Sequence, residues 1–192
     1  MSGKEDLRVK RTKKALTEAF MKLMCEKSFE DITVNELCDE AGVRRATFYK
    51  HYTDKFDFLT AYTCSLRDRF DNVIWKSDAS APTKDYYVAY AKRLVGFISE
   101  NTVAIENILK SNMFPTLLTI ILEQNYRATC ERLKASVDAG MKLPASIEIV
   151  ASMASGAVAA AVYAWFKTGR IKSHEELAGE IGDSIARLIE GK

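Results

Sequence analysis

The chain has 192 residues, enough for one or two compact domains with a substantial core, and 47% of them are hydrophobic. Its 28 Lys and Arg exceed its 26 Asp and Glu by a net charge of only +2, too little to mark a nucleic-acid binder by itself, so charge placement decides. The 4 cysteines (Cys25, Cys38, Cys64, Cys130) lack CxxC spacing, and the 2 histidines (His51, His174) lie far from any cysteine pair. This excludes a disulfide framework or Cys/His metal site and fits a reduced, cytoplasmic chain whose cysteines pack; a thiol sensor is the alternative.

Residues 7–27 carry Leu16, Ala19, Phe20 and Leu23 in one apolar helical stripe behind a basic leader of Lys4, Arg8, Lys10, Arg11, Lys13 and Lys14. The leader runs into charge-interrupted sequence and is not a signal peptide. Phe29 and Ile32, in the connector, are expected in a small core with Phe20, Leu37 and Phe48. Thr33 and Glu36 have capping-box spacing, so a second helix begins near Val34; Ala41-Gly42 ends it. A third helix begins near Arg44 or Arg45. Val43, Phe48 and Tyr52 face Leu37 and Ala41, which leaves Arg45, Ala46, Tyr49 and Lys50 outside.

That outer face suits a major groove, where Arg and Lys donate to guanine O6 and N7. The plain alternative is a solvated helical hairpin. Charge placement favours the groove: residues 1–55 hold 12 Lys/Arg against 10 Asp/Glu, and the remainder is balanced at 16 each. Thr53 is expected to cap a linking helix over 54–76, with Leu59, Tyr62, Leu66, Phe70 and Val73 inward. Lys55, in its first turn, is expected to meet an anion.

Ser77–Thr83 breaks the chain. Helices are then expected at 84–100, 103–110, 113–139 (Leu118, Ile121, Leu122, Leu133 and Val137 inward), from Pro144 to Thr168, and at 173–190 after a second capping box of Ser173 and Glu176. Ile149–Phe166 is 18 residues without a charge, but 7 are Ala, so a packing helix is expected there rather than a membrane span. The fold class is all-α, about nine helices, with an N-terminal module over 1–53 and a second region over 54–192.

The segment A-G-V-x-x-x-T-F-Y-x-H-Y-x-x-K at 41–55, within 32–59, resembles the helix-turn-helix of TetR/AcrR-type transcriptional regulators. Residues 8–27 fit that family's first helix. The segment G-A-V-A-A-A-V-Y-A-W-F-K-T-G resembles, more weakly, a subgroup including regulators of dihydroxyacetone kinase operons. The resemblance implies base contacts from Arg45, Ala46, Thr47, Lys50 and Asn35, and phosphate contacts from Thr33, Tyr49, His51 and Lys55. Arg44 stands where the family commonly has a capping Ser or Thr, so either the cap is missing or Arg44 reaches a phosphate.

The resemblance further implies a ligand-responsive repressor that binds a near-palindromic double-stranded DNA operator as a homodimer. Dimer candidates are Ala154, Gly156, Ala157, Ala161, Ile181, Ile185 and Leu188; packing within one subunit is the alternative for the Ala-rich helix. Effector-site candidates are Tyr90, Phe97, Phe114, Leu118, Tyr126, Tyr163 and Trp165. The effector is a small molecule or, following the subgroup, a protein coregulator. No nucleophile-base arrangement, Gly-rich phosphate loop or metal-ligand cluster is legible, so neither an enzyme nor a cofactor or membrane partner is expected. An all-α interaction module or enzyme is the reading from a different class.

Overall fold

The computed structural model describes the backbone of residues 7–74 and 84–190, and the side chains of residues 7–70 and 88–190. Lys4, the side chain of Val73 and the Ser77–Thr83 break lie outside the described residues. Among them there are nine α-helices and no strand: α1 (Leu7–Glu26), α2 (Val34–Ala41), α3 (Arg45–Phe48), α4 (Lys55–Ile74), α5 (Lys84–Glu100), α6 (Thr102–Lys110), α7 (Phe114–Asp138), α8 (Ile147–Lys167) and α9 (His174–Glu190). A 3-10 turn, Phe29–Asp31, links α1 to α2. The all-α class is the one expected.

Local chemistry sets the helix ends. At the start of α2, Glu36 N donates to Thr33 Oγ1 (3.2 Å) and Thr33 N donates to the Glu36 carboxylate (2.9 Å), a complete capping box. Ser173 and Glu176 repeat the device before α9, at 3.2 and 2.9 Å. Gly42, at φ 63°, ends α2 through Gly42 N to Asp39 O and Val43 N to Cys38 O, the paired bonds of a left-handed helix end. Two starts differ from expectation. Asp54, not Thr53, caps α4: it is the residue just before the helix, and its carboxylate accepts from Phe56 N and Asp57 N at 2.7 and 2.9 Å while Thr53 N donates to Asp57. Ser146, two residues past Pro144, caps α8.

The chain divides into two compact units, residues 1–63 with 101–118, and residues 64–100 with 119–192. This differs from a division at Thr53/Asp54: α6 packs with α1, and α4 and α7 each begin in the first unit and continue into the second. The first unit is built on an aromatic cluster. Phe58 of α4 stands 5.4 Å from Phe20, 6.2 Å from Phe48 and 5.2 Å from Tyr52, ring centre to ring centre. Phe29, Ile32, Leu37 and Phe48 are buried with it, as expected, and each such side chain contributes about 1.5–3 kcal/mol. Asn107 Nδ2 donates to Met24 O at 2.8 Å, fastening α6 to the end of α1.

In the second unit α9 lies against α5 so closely that a Cβ on Gly182 would stand 2.4 Å from Val88 Cα. Leu177, Ile181, Ile185 and Ile189 are thereby buried inside the subunit. On α7, Leu133 is buried as expected, but Val137 is 38% exposed and Leu117 takes the buried place in the first unit, with Leu118 half-buried. Helix α8 is long and apolar enough to cross a membrane by length and composition, yet Val150, Ala151, Ala154 and Ser155 on one face are buried by protein. Its opposite face leaves Ile149, Met153 and Tyr163 at 53%, 52% and 41% exposure.

Candidate nucleic-acid interface

The outer surface of α2–α3 is held from behind. Phe48 is fully buried and Tyr52 nearly so, while Arg44, Arg45, Ala46, Tyr49 and Lys50 are exposed and Thr47, Val43 and His51 half-exposed. Helix α3 is only four residues, shorter than its pattern suggests. Its backbone stays near-helical beyond Phe48, with Tyr49 N on Arg45 O and Tyr52 N on Phe48 O at 3.0 Å each. Arg44 takes the position before the helix with extended backbone and no side-chain cap, so its guanidinium projects without helping to start α3. Arg45 carries its guanidinium 5.9 Å from the centre of the Tyr49 ring, a placement that stiffens a long side chain at the outer face. Asn35, on α2, is exposed too.

Three acids of this unit, Glu30, Glu36 and Glu40, have partners of their own. Lys22 of α1 and Lys27, the residue after α1, pair with Glu40 and Glu36 of α2 at 2.7 and 2.5 Å. The Lys27 ammonium and the Thr33 donors hold the Glu36 carboxyl far below its usual range, at about 2. Ser111 Oγ and Asn112 N donate to Glu30, so that carboxyl is also held down. Arg44, Arg45 and Lys50 therefore stand out more strongly than a count of 12 against 10 conveys.

Two expected phosphate contacts are placed differently. Lys55 Nζ donates to Phe29 O, Glu30 O and Ile32 O at 3.0, 2.9 and 2.9 Å and sits 4.8 Å from the Phe29 ring centre. Three donors meet three acceptors, so the ammonium closes the carbonyl end of the 3-10 turn rather than facing solvent, and burial pushes its pKa down. Thr33 Oγ1 donates its single proton to Glu36 at 2.8 Å, which leaves the hydroxyl no donor for a phosphate. The remaining expected residues, Asn35, Arg44, Arg45, Ala46, Thr47, Tyr49, Lys50 and His51, lie on the α2–α3 surface or its following turn. Cys38 is buried, and that burial raises its pKa, which makes it a packing residue.

A cavity of about 60 Å³ opens within the second unit, between α5, α7, α8 and α9. Of the seven effector-site candidates, Tyr90 alone lines it; Arg132, Asn125, Thr129, Ser155 and Val158, unforeseen from sequence, do so too. Phe114 and Leu118 belong to the first unit. Phe97 packs on Phe70 (6.1 Å), and Tyr126 is half-buried away from the lining. Trp165 is buried with Nε1 bonded to Lys172 O at 2.9 Å, and Tyr163 is exposed beside Lys167, so both serve other places. The sequence signal that was available is the i, i+4, i+7 spacing of Asn125, Thr129 and Arg132 on α7. Among the dimer candidates, Ala154, Ile181 and Ile185 are buried within the subunit by α9 packing, and Ile185 lines the cavity; Ala157 is exposed and Gly156, Ala161 and Leu188 half-exposed.

Residues 16–62 match the pattern of bacterial regulatory proteins of the tetR family. Over 55 residues, 28% of this chain, it is 42% identical to YxbF, an HTH-type transcriptional regulator of Bacillus subtilis; the match spans 14% of that relative's length. Three solved structures share the fold across nearly the whole chain. A protein from Syntrophomonas wolfei assigned to the TetR family aligns with TM-score 0.67 at 15% identity, covering 94% of this chain and 95% of its own. The dihydroxyacetone kinase operon activator DhaS gives 0.61 at 18%, covering 93% and 96%. FadR of Bacillus subtilis, solved with stearoyl-CoA, gives 0.61 at 15%, covering 91% and 98%. Residues 16–62 thus carry a tetR-family helix-turn-helix on the geometry above, and the chain as a whole has the fold of those structures.

Proposed function

We propose that this protein is a cytoplasmic, sequence-specific DNA-binding repressor that grips a near-palindromic operator as a homodimer and is released by a small-molecule effector. The observation that carries it is the outer face of α2–α3: Arg44, Arg45 and Lys50 exposed, Phe48 and Tyr52 locked behind them, and Glu36 and Glu40 of α2 paired with Lys27 and Lys22. Arg45, Ala46, Thr47 and Lys50 read bases with Asn35, while Arg44, Tyr49 and His51 meet phosphates. Lys55 acts behind them by fixing the turn from which α2 starts.

The exposed stripe of α8, Ile149, Met153, Ala157 and Tyr163, is the dimer face in this reading, with Gly156 and Ala161 allowing close approach. It replaces a face built on Ile181 and Ile185. Two-fold symmetry then sets half-sites about 34 Å apart or a multiple of that.

The effector occupies the cavity of the second unit. Helix α7 carries Asn125, Thr129 and Arg132 at the cavity, and the residues just before its first turn bond Glu30 of the DNA-binding module through Ser111 and Asn112. A shift of α7 on effector binding is thus passed to the segment that precedes α2, alongside the continuous helix α4. The effector needs only a higher affinity for the arrangement that does not fit the operator. FadR of Bacillus subtilis, which has the same fold and was solved with stearoyl-CoA, supports the small-molecule reading. The test is a fluorescence-anisotropy titration of labelled operator with fractionated cell metabolites. A metabolite that releases operator from the purified protein unaided is the expected result; release only on adding a second protein would replace the small-molecule effector with a protein coregulator.

A further inference from the structure

We infer that Tyr49 is a positioning residue for the guanidinium of Arg45, and that its ring, apart from its hydroxyl, sets how sharply one base pair is discriminated; this rests on the proposed DNA-binding reading and names a source of its specificity. The Arg45 cation stands 5.9 Å from the centre of the Tyr49 ring. A guanidinium is planar and weakly hydrated, so an aromatic face attracts it even where both groups are exposed. The backbone fixes the pair as well. Tyr49 N donates to Arg45 O at 3.0 Å, which sets the two side chains one helical turn apart on the same face.

The ring is itself backed by the core. Phe48 is fully buried, and its ring meets that of Tyr49 edge-on, with 5.4 Å between centres and 87° between planes. Phe48 in turn stands 6.2 Å from Phe58, at the centre of the aromatic cluster. A line of rings therefore runs from the core of the first unit to the Arg45 side chain. Helix α3 offers that side chain little else, since it spans 4 residues and Arg44 before it makes no side-chain cap. A bidentate contact to guanine O6 and N7 needs the guanidinium in one plane, and a side chain ordered in advance loses less freedom on reaching it. The Tyr49 hydroxyl lies at the far end of the ring, so the phosphate contact proposed for it and the stacking on Arg45 are separable by substitution.

The test is competition binding of the full chain on the duplex it enriches from a random pool and on the single-base-pair variants of that duplex. Arg45→Ala identifies the base pair that Arg45 reads. At that base pair Tyr49→Leu is expected to reduce discrimination about threefold to fivefold. Tyr49→Phe is expected to keep the discrimination while weakening every duplex alike, because the ring stays and the hydroxyl is lost. In an Arg45→Ala background, Tyr49→Leu should change no base preference further. Thermal melts establish that each variant is folded at the assay temperature, and Tyr49→Gln repeats the removal of the ring should the Leu variant melt below it. Discrimination left intact by Tyr49→Leu overturns the inference. So does a loss in Tyr49→Phe equal to that in Tyr49→Leu, which would assign the effect to the hydroxyl, or a loss that persists without Arg45. Arg45→Ala with unchanged base preference would defeat the base-reading proposal and this inference together, whereas a change in Arg45→Ala alone would remove only the inference.

Discussion

At Lys55, three carbonyl oxygens occupy an ammonium group that has three protons to give. Lys55→Ala should therefore lower stability by about 1–3 kcal/mol, the cost of carbonyls left without their charged donor, measured by urea denaturation. Its operator binding should keep the wild-type salt dependence wherever the variant is folded; a slope reduced by about 0.9 would return Lys55 to the phosphate-contacting set. Arg45→Ala is expected to behave in the opposite manner, with unchanged stability and a loss of about 1–3 kcal/mol confined to particular base pairs in competition binding. The placement of Lys55 was not legible in sequence, because its acceptors lie 23 to 26 residues upstream and are backbone atoms with no side-chain signature. The outer position of Arg45 was legible, since it depends only on helical period next to an aromatic anchor.

At the scale of single elements, α2 should carry an acid-sensitive contribution. The Glu36 carboxyl has a folded value of about 2 against an ordinary 4.5, so its share of stability is complete above the ordinary value and is lost as pH falls toward the folded one. Urea midpoints followed down that range should fall for the natural protein, and Glu36→Gln should lose that part of the slope. Helix α9 gives a second expectation: Gly182→Ala drives a methyl into the Val88 backbone and should cost about 1–3 kcal/mol by thermal denaturation. Capping boxes and left-handed glycines could be read from sequence because each is closed within a few residues. What α9 faces could not, because the stripe of Leu177, Ile181 and Ile185 fits a partner subunit and a neighbouring helix equally well. Gly182, the residue that lets α5 approach, is the one local hint that it packs inward.

For the whole molecule, the proposed symmetry of DNA binding rests on the uncovered face of α8. Met153→Arg should shift sedimentation from dimer to monomer and weaken operator binding by about a hundredfold or more, because the second half-site no longer benefits from the first. The first unit's tetR-family match was legible as a contiguous motif, A-G-V-R-R-A-T-F-Y-K-H-Y-T-D-K. The cavity of the second unit was not: its walls come from four helices separated by up to a hundred residues, and its polar groups are ordinary residues until packing brings them together. The central claim is that the α2–α3 surface reads a symmetric DNA sequence, and selection of bound duplexes from a random pool by the purified protein tests it most directly. The account predicts an enriched near-palindrome whose half-site bases change preference in Arg45→Ala and Lys50→Ala proteins. Recovery of no sequence above the starting pool, or of an enriched sequence that both variants select unchanged, would contradict it.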